Sequence, residues 1–267
     1  MIKELYRKTI RYLVNNSYLG FRALNATDYG VKYDAVSERL YQWVGGRRIY
    51  IQHPKHGVPN YTERDTVEWL CKDVYYANYL PCDGEVVVDI GTGYGHEIAW
   101  LKSKSDVKVI CVEPNPEVFV YLQMNLLEIS GVILKNLFIG EKKYINFPLT
   151  MNYAGATSKG DKVGIRVGGA TLDELLSEYG EVDLLKLNIE GGEVDLLENS
   201  NLTKITRIIV SCHDFRADRG DGEYFRTYEK VKNILRDKGY SFSHVKTDYF
   251  PTKHWRDSVQ YWIFAYK

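Results

Sequence analysis

The stretch LLKLNIEGGEVDLL (184–197) places Lys186, Asn188 and Glu190 at every second position of an otherwise aliphatic run. A β-strand points alternate side chains to one face, and an unpartnered buried polar group costs about 1–3 kcal/mol. A row of three therefore needs an internal network or a ligand. In open α/β sheets ligands sit outside the carboxyl ends of the strands, which puts Asn188 and Glu190 at the cleft end of the row. A second apolar run, IIVSCHD (208–214), brings Ser211, Cys212, His213 and Asp214 to the same rim. Glu190 and His213 are the candidate bases for a hydroxyl proton, with Asn188 beside them to position an acceptor. Two plainer readings stay open: Lys186 paired with a Glu that ties the strand to a neighbouring helix, and His213 as the N-cap of the next segment. Cys212 is expected in the core.

A ligand for that cleft is indicated by VVVDIGTGYGHEIAWL (86–101), an apolar strand ending in Asp89, followed by Gly91, Gly93 and Gly95 and then a helix. Glycines there permit a tight turn and close approach of backbone to ligand. The next apolar run, VKVICVE (107–113), ends in Glu113, 20 residues beyond Gly93, a separation that suits a carboxylate accepting both hydroxyls of a ribose. A dinucleotide fold shares these features, but its turn is G-x-G-x-x-G, whereas this one is G-x-G-x-G with an acidic residue two positions ahead. That is the pattern of an S-adenosylmethionine turn, with Asp89 helping to hold it. Cofactor contacts are expected from Asp89, Gly91, Thr92, Gly93, Tyr94, Gly95, Glu113, Pro114, Asn115, Ile139 and Gly140.

These residues must be carried by a β/α alternation, which begins at residue 85. The Val-, Ile- and Leu-rich runs fit parallel strands covered on both faces, and one strand is expected near Lys135–Ile139. FSHVK (242–246) and QYWIFAYK (260–267) have no helix between them on this reading and should pair as an antiparallel edge hairpin. The loop between them, DYFPTKHWRDS (248–258), is long and aromatic, the composition of a lid or a dimer contact. Thr171 is the expected cap of a helix in TLDELLSEY, and 141–169 reads as hairpin and loop. Ahead of the alternation, residues 1–80 form an N-terminal extension. Within it an amphipathic helix is expected over 2–14, a short strand over Arg48–Gln52 and a second helix over Thr66–Tyr79; His53 and His56 read as solvated loop.

With 267 residues the chain suits one large α/β domain, 81–267, plus the extension. Lys and Arg together equal Asp and Glu at 35 each, so the global charge attracts neither nucleic acid nor an anionic membrane. Four widely spaced cysteines fit neither a zinc set nor a disulfide framework. With no apolar window long enough to span a membrane, a cytoplasmic protein is expected.

VVVDIGTGYG, CVEPNPE, TLDELLSEYGEVDLLKLNIEGGEVDLL and IIVSCHD together resemble the FkbM family of methyltransferases, over roughly 80–267. The family's K-x-D-x-E-G-x-E segment is matched at Lys186, Glu190, Gly191 and Glu193, with Asn188 in place of Asp; Asn152, Gly155, Thr157 and Ser158 resemble its loop after the adenine site. The resemblance implies a Rossmann-like class I fold with a mostly parallel seven-stranded sheet and S-adenosyl-L-methionine as donor. It also implies a small-molecule or carbohydrate acceptor methylated on oxygen. A metal made from Asn188, Glu190, His213 and Asp214 is chemically possible but not required, and none is expected. A homodimer is compatible with the sequence.

Overall fold

The computed structural model describes residues 30–53, 56–58, 65–147 and 164–267; the helix expected over 2–14 and the loop around Asn152, Gly155, Thr157 and Ser158 lie outside them. The described extension opens with a three-stranded antiparallel sheet, β1 (Lys32–Asp34), β2 (Arg39–Val44) and β3 (Arg47–Ile51). Helix α1 (Thr66–Trp69) starts where the Asp65 side chain accepts from the Val67 and Glu68 amides. It continues as a wider π-helical segment over Leu70–Tyr75, four residues short of the expected end.

The aliphatic runs become a seven-stranded sheet in the order β12-β13-β11-β10-β4-β5-β6. Its members are β4 (Val86–Ile90), β5 (Lys108–Val112), β6 (Val132–Lys135), β10 (Val182–Leu187), β11 (Ile205–Ser211), β12 (Ser241–Ser243) and β13 (Trp262–Tyr266). β13 is antiparallel to both neighbours and the other pairs are parallel. The expected antiparallel terminal pair forms at one edge of the sheet, although a helix over Lys253–Val259 lies between its strands where none was expected. β13 is buried at four of its five positions and takes an interior place, and the short, more exposed β12 becomes the edge. The strand expected near Lys135–Ile139 is divided, because the Asn136 side chain donates to the Glu113 and Pro114 carbonyls and turns the chain away. Beyond the break, β7 (Phe138–Ile139) joins β8 (Tyr144–Phe147) and β9 (Ile165–Ala170) in a small separate sheet.

The remaining helices are α2 (His96–Lys102), α3 (Pro116–Leu126), α4 (Leu172–Ser177), α5 (Glu193–Glu198), α6 (Asp214–Asp218), α7 (Tyr228–Asp237) and α8 (Lys253–Val259). Thr171 caps α4 as expected and Glu174 completes a capping box. Apolar cores cover both faces of the large sheet, and the one that contains Val87, Val109 and Leu184 also takes Ile49, Ile51 and Trp69 from the extension. No helix among the described residues is long and apolar enough to cross a membrane.

Lys186 does not face the cleft. It sits opposite Asp89 on β4, its Nζ 2.9 Å from Asp89 Oδ1, with the two side chains 2% and 0% exposed and the ammonium over the Tyr75 ring. Its partner is a strand neighbour rather than a glutamate on a helix. Burial opposes the ammonium, but the Asp89 charge and hydrogen bond together with the nearby Tyr75 and Glu97 outweigh it and raise the Lys186 pKa; burial likewise raises that of Asp89. Removing one partner strands the other charge in the core, so Lys186→Met should destabilise the fold by about 3–5 kcal/mol. In urea unfolding, Asp89→Asn combined with Lys186→Met should recover most of that loss; a single variant as stable as the parent would refute a buried ion pair.

Candidate functional site

The strand order reverses where β4 lies between β10 and β5, and a cleft of about 380 Å³ opens outside their carboxyl ends, the position at which open α/β sheets bind ligands. Two backbone contacts fix its floor. The Asn188 amide donates to the Ile90 carbonyl at 2.9 Å, and a Cβ on Gly91 (φ +83°) would lie 2.1 Å from the Asn188 carbonyl oxygen. Glycine is therefore required here by the segment that follows β10 as well as by the turn.

Of the residues expected at the cofactor, Gly91, Glu113, Pro114, Asn115, Ile139 and Gly140 line the cleft, whereas Asp89, Thr92, Gly93, Tyr94 and Gly95 do not. The Thr92 hydroxyl donates to the Asp89 carbonyl, and the Gly93 amide donates to Glu113 Oε2 at 2.9 Å. Tyr94 is buried with its hydroxyl 2.8 Å from Nδ1 of His56, so His56 belongs to the interior rather than to a solvated loop. Gly95 caps α2, where a Cβ would meet Leu126. Glu113 is held by the Gly93 amide and, at 2.8 Å, by the Asn115 amide. Burial outweighs these bonds and pushes its carboxyl up to about 7.

At the other end of the cleft the alternation expected of the polar row stops, because β10 ends at Leu187 and Glu190 turns into the left-handed region at φ +59°. That conformation costs a non-glycine residue energy and is concentrated at functional sites. Gly191 follows at φ +100°, where a Cβ would press on Tyr224. Asn188 and Glu190 both line the cleft. Glu190 accepts a hydrogen bond from Arg216, and its Oε1 lies 3.5 Å from Nε2 of His213. His213 occupies the N-cap position of α6 without a side-chain cap bond and is 7% exposed, one layer behind the cleft lining. Burial opposes its charged form, but Glu193 and Glu190 outweigh that effect and raise its pKa above the ordinary 6.5. Asp214 turns away to accept from the Thr227 and Tyr228 amides, and Cys212 is fully buried. Among the described residues no cluster of three or more His, Cys, Asp or Glu is arranged to hold a metal ion.

Arg216, Glu193, Tyr224 and Lys142 join the site without having been expected there. Two of them left a trace in the sequence: Glu193 closes the segment that resembles the family's, and Arg216 stands three residues after His213 in the helix that follows. The stretch read as a lid or a dimer contact is anchored to the extension: Phe250 and Trp255 pack on Trp69 of α1, whose Nε1 donates to the Tyr249 carbonyl. None of its residues lines the cleft, because its rings find partners in the extension.

The cleft suits S-adenosylmethionine: a buried carboxylate at the end of β5, apolar walls from Leu137, Phe138 and Leu172, and a further carboxylate beyond. Sheet order and cleft define a class I methyltransferase. The methyltransferase FkbM domain matches residues 89–242, more than half of the chain, and the protein belongs to that family, which uses S-adenosylmethionine as methyl donor. No curated protein matches the sequence. Among solved structures, an Aeropyrum pernix fibrillarin with natively bound S-adenosyl-L-methionine is 12% identical, with 75% of this chain and 73% of that one covered and a TM-score of 0.42. A precorrin-6y C5,15-methyltransferase from Geobacter metallireducens is 15% identical with a TM-score of 0.39; 61% of this chain is covered, and it spans just under two thirds, 66%, of that protein.

Gly91→Ala should lower stability by about 1–3 kcal/mol through its left-handed backbone alone, and by more through the contact with Asn188. Thermal unfolding with and without S-adenosylhomocysteine measures both the loss and the effect on ligand binding. A variant with parental melting and parental ligand shift would refute the packing described for the two loops.

Proposed function

We propose that the protein methylates a hydroxyl oxygen of a sugar, glycan or other small metabolite. The observation that supports this best is the Glu190 carboxylate on the cleft wall, gripped by Arg216 and beside His213, at the end opposite Glu113. S-adenosylmethionine supplies an electrophilic methyl group on a sulfonium centre. Glu113 accepts the ribose hydroxyls, which fixes the cofactor's long axis along the cleft. Asn188 orients the acceptor, and Glu190 takes its proton as the oxygen attacks in line. The apolar walls exclude water, so alignment and desolvation supply most of the acceleration.

Two measurements test this reading. The ribose hydroxyls need the ionised form of Glu113, and that form accumulates only as pH rises through about 7. S-adenosylhomocysteine affinity should therefore increase severalfold between about pH 6 and pH 8. Glu113→Gln should weaken binding by about 1.5–3 kcal/mol and flatten the dependence; calorimetry showing pH-independent affinity in the parent protein would remove Glu113 from the ribose. For the chemistry, Glu190→Gln keeps shape and hydrogen bonding but loses the basic carboxylate. Transfer of labelled methyl to extracted glycans and metabolites should fall by roughly 10²–10⁴, with S-adenosylhomocysteine affinity retained. Undiminished turnover would sink the assignment.

A further inference from the structure

Glu193 is a carboxylate beside the cleft to which the proposed chemistry gives no task. It begins α5 with a side chain that is fully buried. Its Oε1 accepts from the Gly191 amide at 3.1 Å and lies 3.5 Å from Nδ1 of His213. Its Oε2 has no hydrogen-bond partner among the described residues. A carboxylate held out of water needs a cation close by. Among the described residues Lys186 is taken by Asp89, and Arg216 by Glu190 and Asp221, which leaves the imidazole of His213. The second nitrogen of that ring, Nε2, is the one 3.5 Å from Glu190 Oε1, so the ring bridges a buried carboxylate and the carboxylate on the cleft wall.

We propose that Glu193 is a positioning residue for methyl transfer: it holds His213 as an imidazolium whose Nε2–H faces Glu190, so that Glu190 alone meets the acceptor as a base. This rests on the reading of the site as an oxygen methyltransferase. The groups around the ring are Glu190 from the loop after β10, Glu193 from α5, and Asp214 and Arg216 from α6. His254 of α8 reaches it only through the Phe215 ring. Two carboxylates face the ring directly, and they outweigh both its burial and the Arg216 charge.

An imidazolium has no lone pair to accept a proton, which separates the roles of two residues that sequence alone leaves as equal candidates. As the acceptor oxygen attacks, the new C–O bond forms and the S–C bond breaks with its electron pair going to sulfur. The acceptor proton passes to Glu190 and leaves to water with the product. His213 and Glu193 exchange no proton; they keep the carboxylate oriented. The Gly191 amide bond lets the same Glu193 shape the loop that carries Glu190.

The test is an NMR titration of the full chain, labelled at histidine and saturated with S-adenosylhomocysteine, with the His213 signal identified from H213Q. More than half of the parent His213 should carry both ring protons at pH 6.5, the ordinary histidine value, and its titration should move down by about one pH unit or more in E193Q. A parent ring that is mostly neutral at that pH, or an unmoved titration in folded E193Q, overturns the proposal; a purely structural Glu193 would lower melting without moving the ring. Should E193Q fail to fold, E190Q at the partly exposed rim must also shift the ring downward, and an unmoved ring there overturns it. No acceptor takes part in the titration, so its failure is distinct from failure of the methylation reading, which only the turnover assay can deliver.

Discussion

The ion pair between Asp89 and Lys186 joins the two strands between which the cleft opens. Its members are among the most deeply buried charges in the chain, and burial of this kind is tolerable only while both partners are present. The cleft lies just beyond it. From Asp89 the chain runs to the glycine turn, and from Lys186 it runs to Asn188 and Glu190. A shift between β4 and β10 would move both walls of the cleft at once. The Asn188 backbone against Gly91 adds a steric lock to the electrostatic one, so the register of the floor is specified twice.

The architecture was legible where the physical signal is local. Runs of branched aliphatics separated by helix-length segments announced a parallel sheet, and Thr171 announced its helix. The spacing of Gly93 and Glu113 pointed to two residues that do meet, though through a backbone amide on a carboxylate rather than as separate contacts to a ligand. What could not be read depends on neighbours distant in sequence. Period-two alternation says that Lys186 shares a face with other residues, but not that Asp89 lies opposite. Nor does it reveal that β10 stops at Leu187, because a glutamate in the left-handed region leaves no mark in a pattern of polar and apolar letters. The aromatic stretch at 248–258 was ambiguous for the same reason: its composition suits a lid or a dimer contact, and only the position of Trp69 shows that Phe250 and Trp255 pack on the extension.

The segment shared with the FkbM family divides its labour along its length. Lys186 works within the sheet, Glu190 at the cleft, and Glu193 between them, on the Gly191 amide and beside His213. Eight residues thus run from the scaffold to the cleft wall. The polar character of an otherwise apolar stretch has three separate causes.

Asn125 carries a consequence for anyone who would cut this chain into parts. Its side chain donates to the carbonyls of Tyr50 and Tyr94 and accepts from the Tyr50 amide, clasping the small N-terminal sheet to the glycine turn through one residue of α3. A fragment that begins at residue 81 would leave that amide with its Tyr50 partners missing and would bare Trp262 and Trp100, on which Tyr75 and Tyr76 now stack. Such a fragment carries every residue of the cofactor motif, yet its greasy flank would invite clumping during expression. A workable truncation has to be chosen by where the apolar surface closes, not by where the recognisable motif begins.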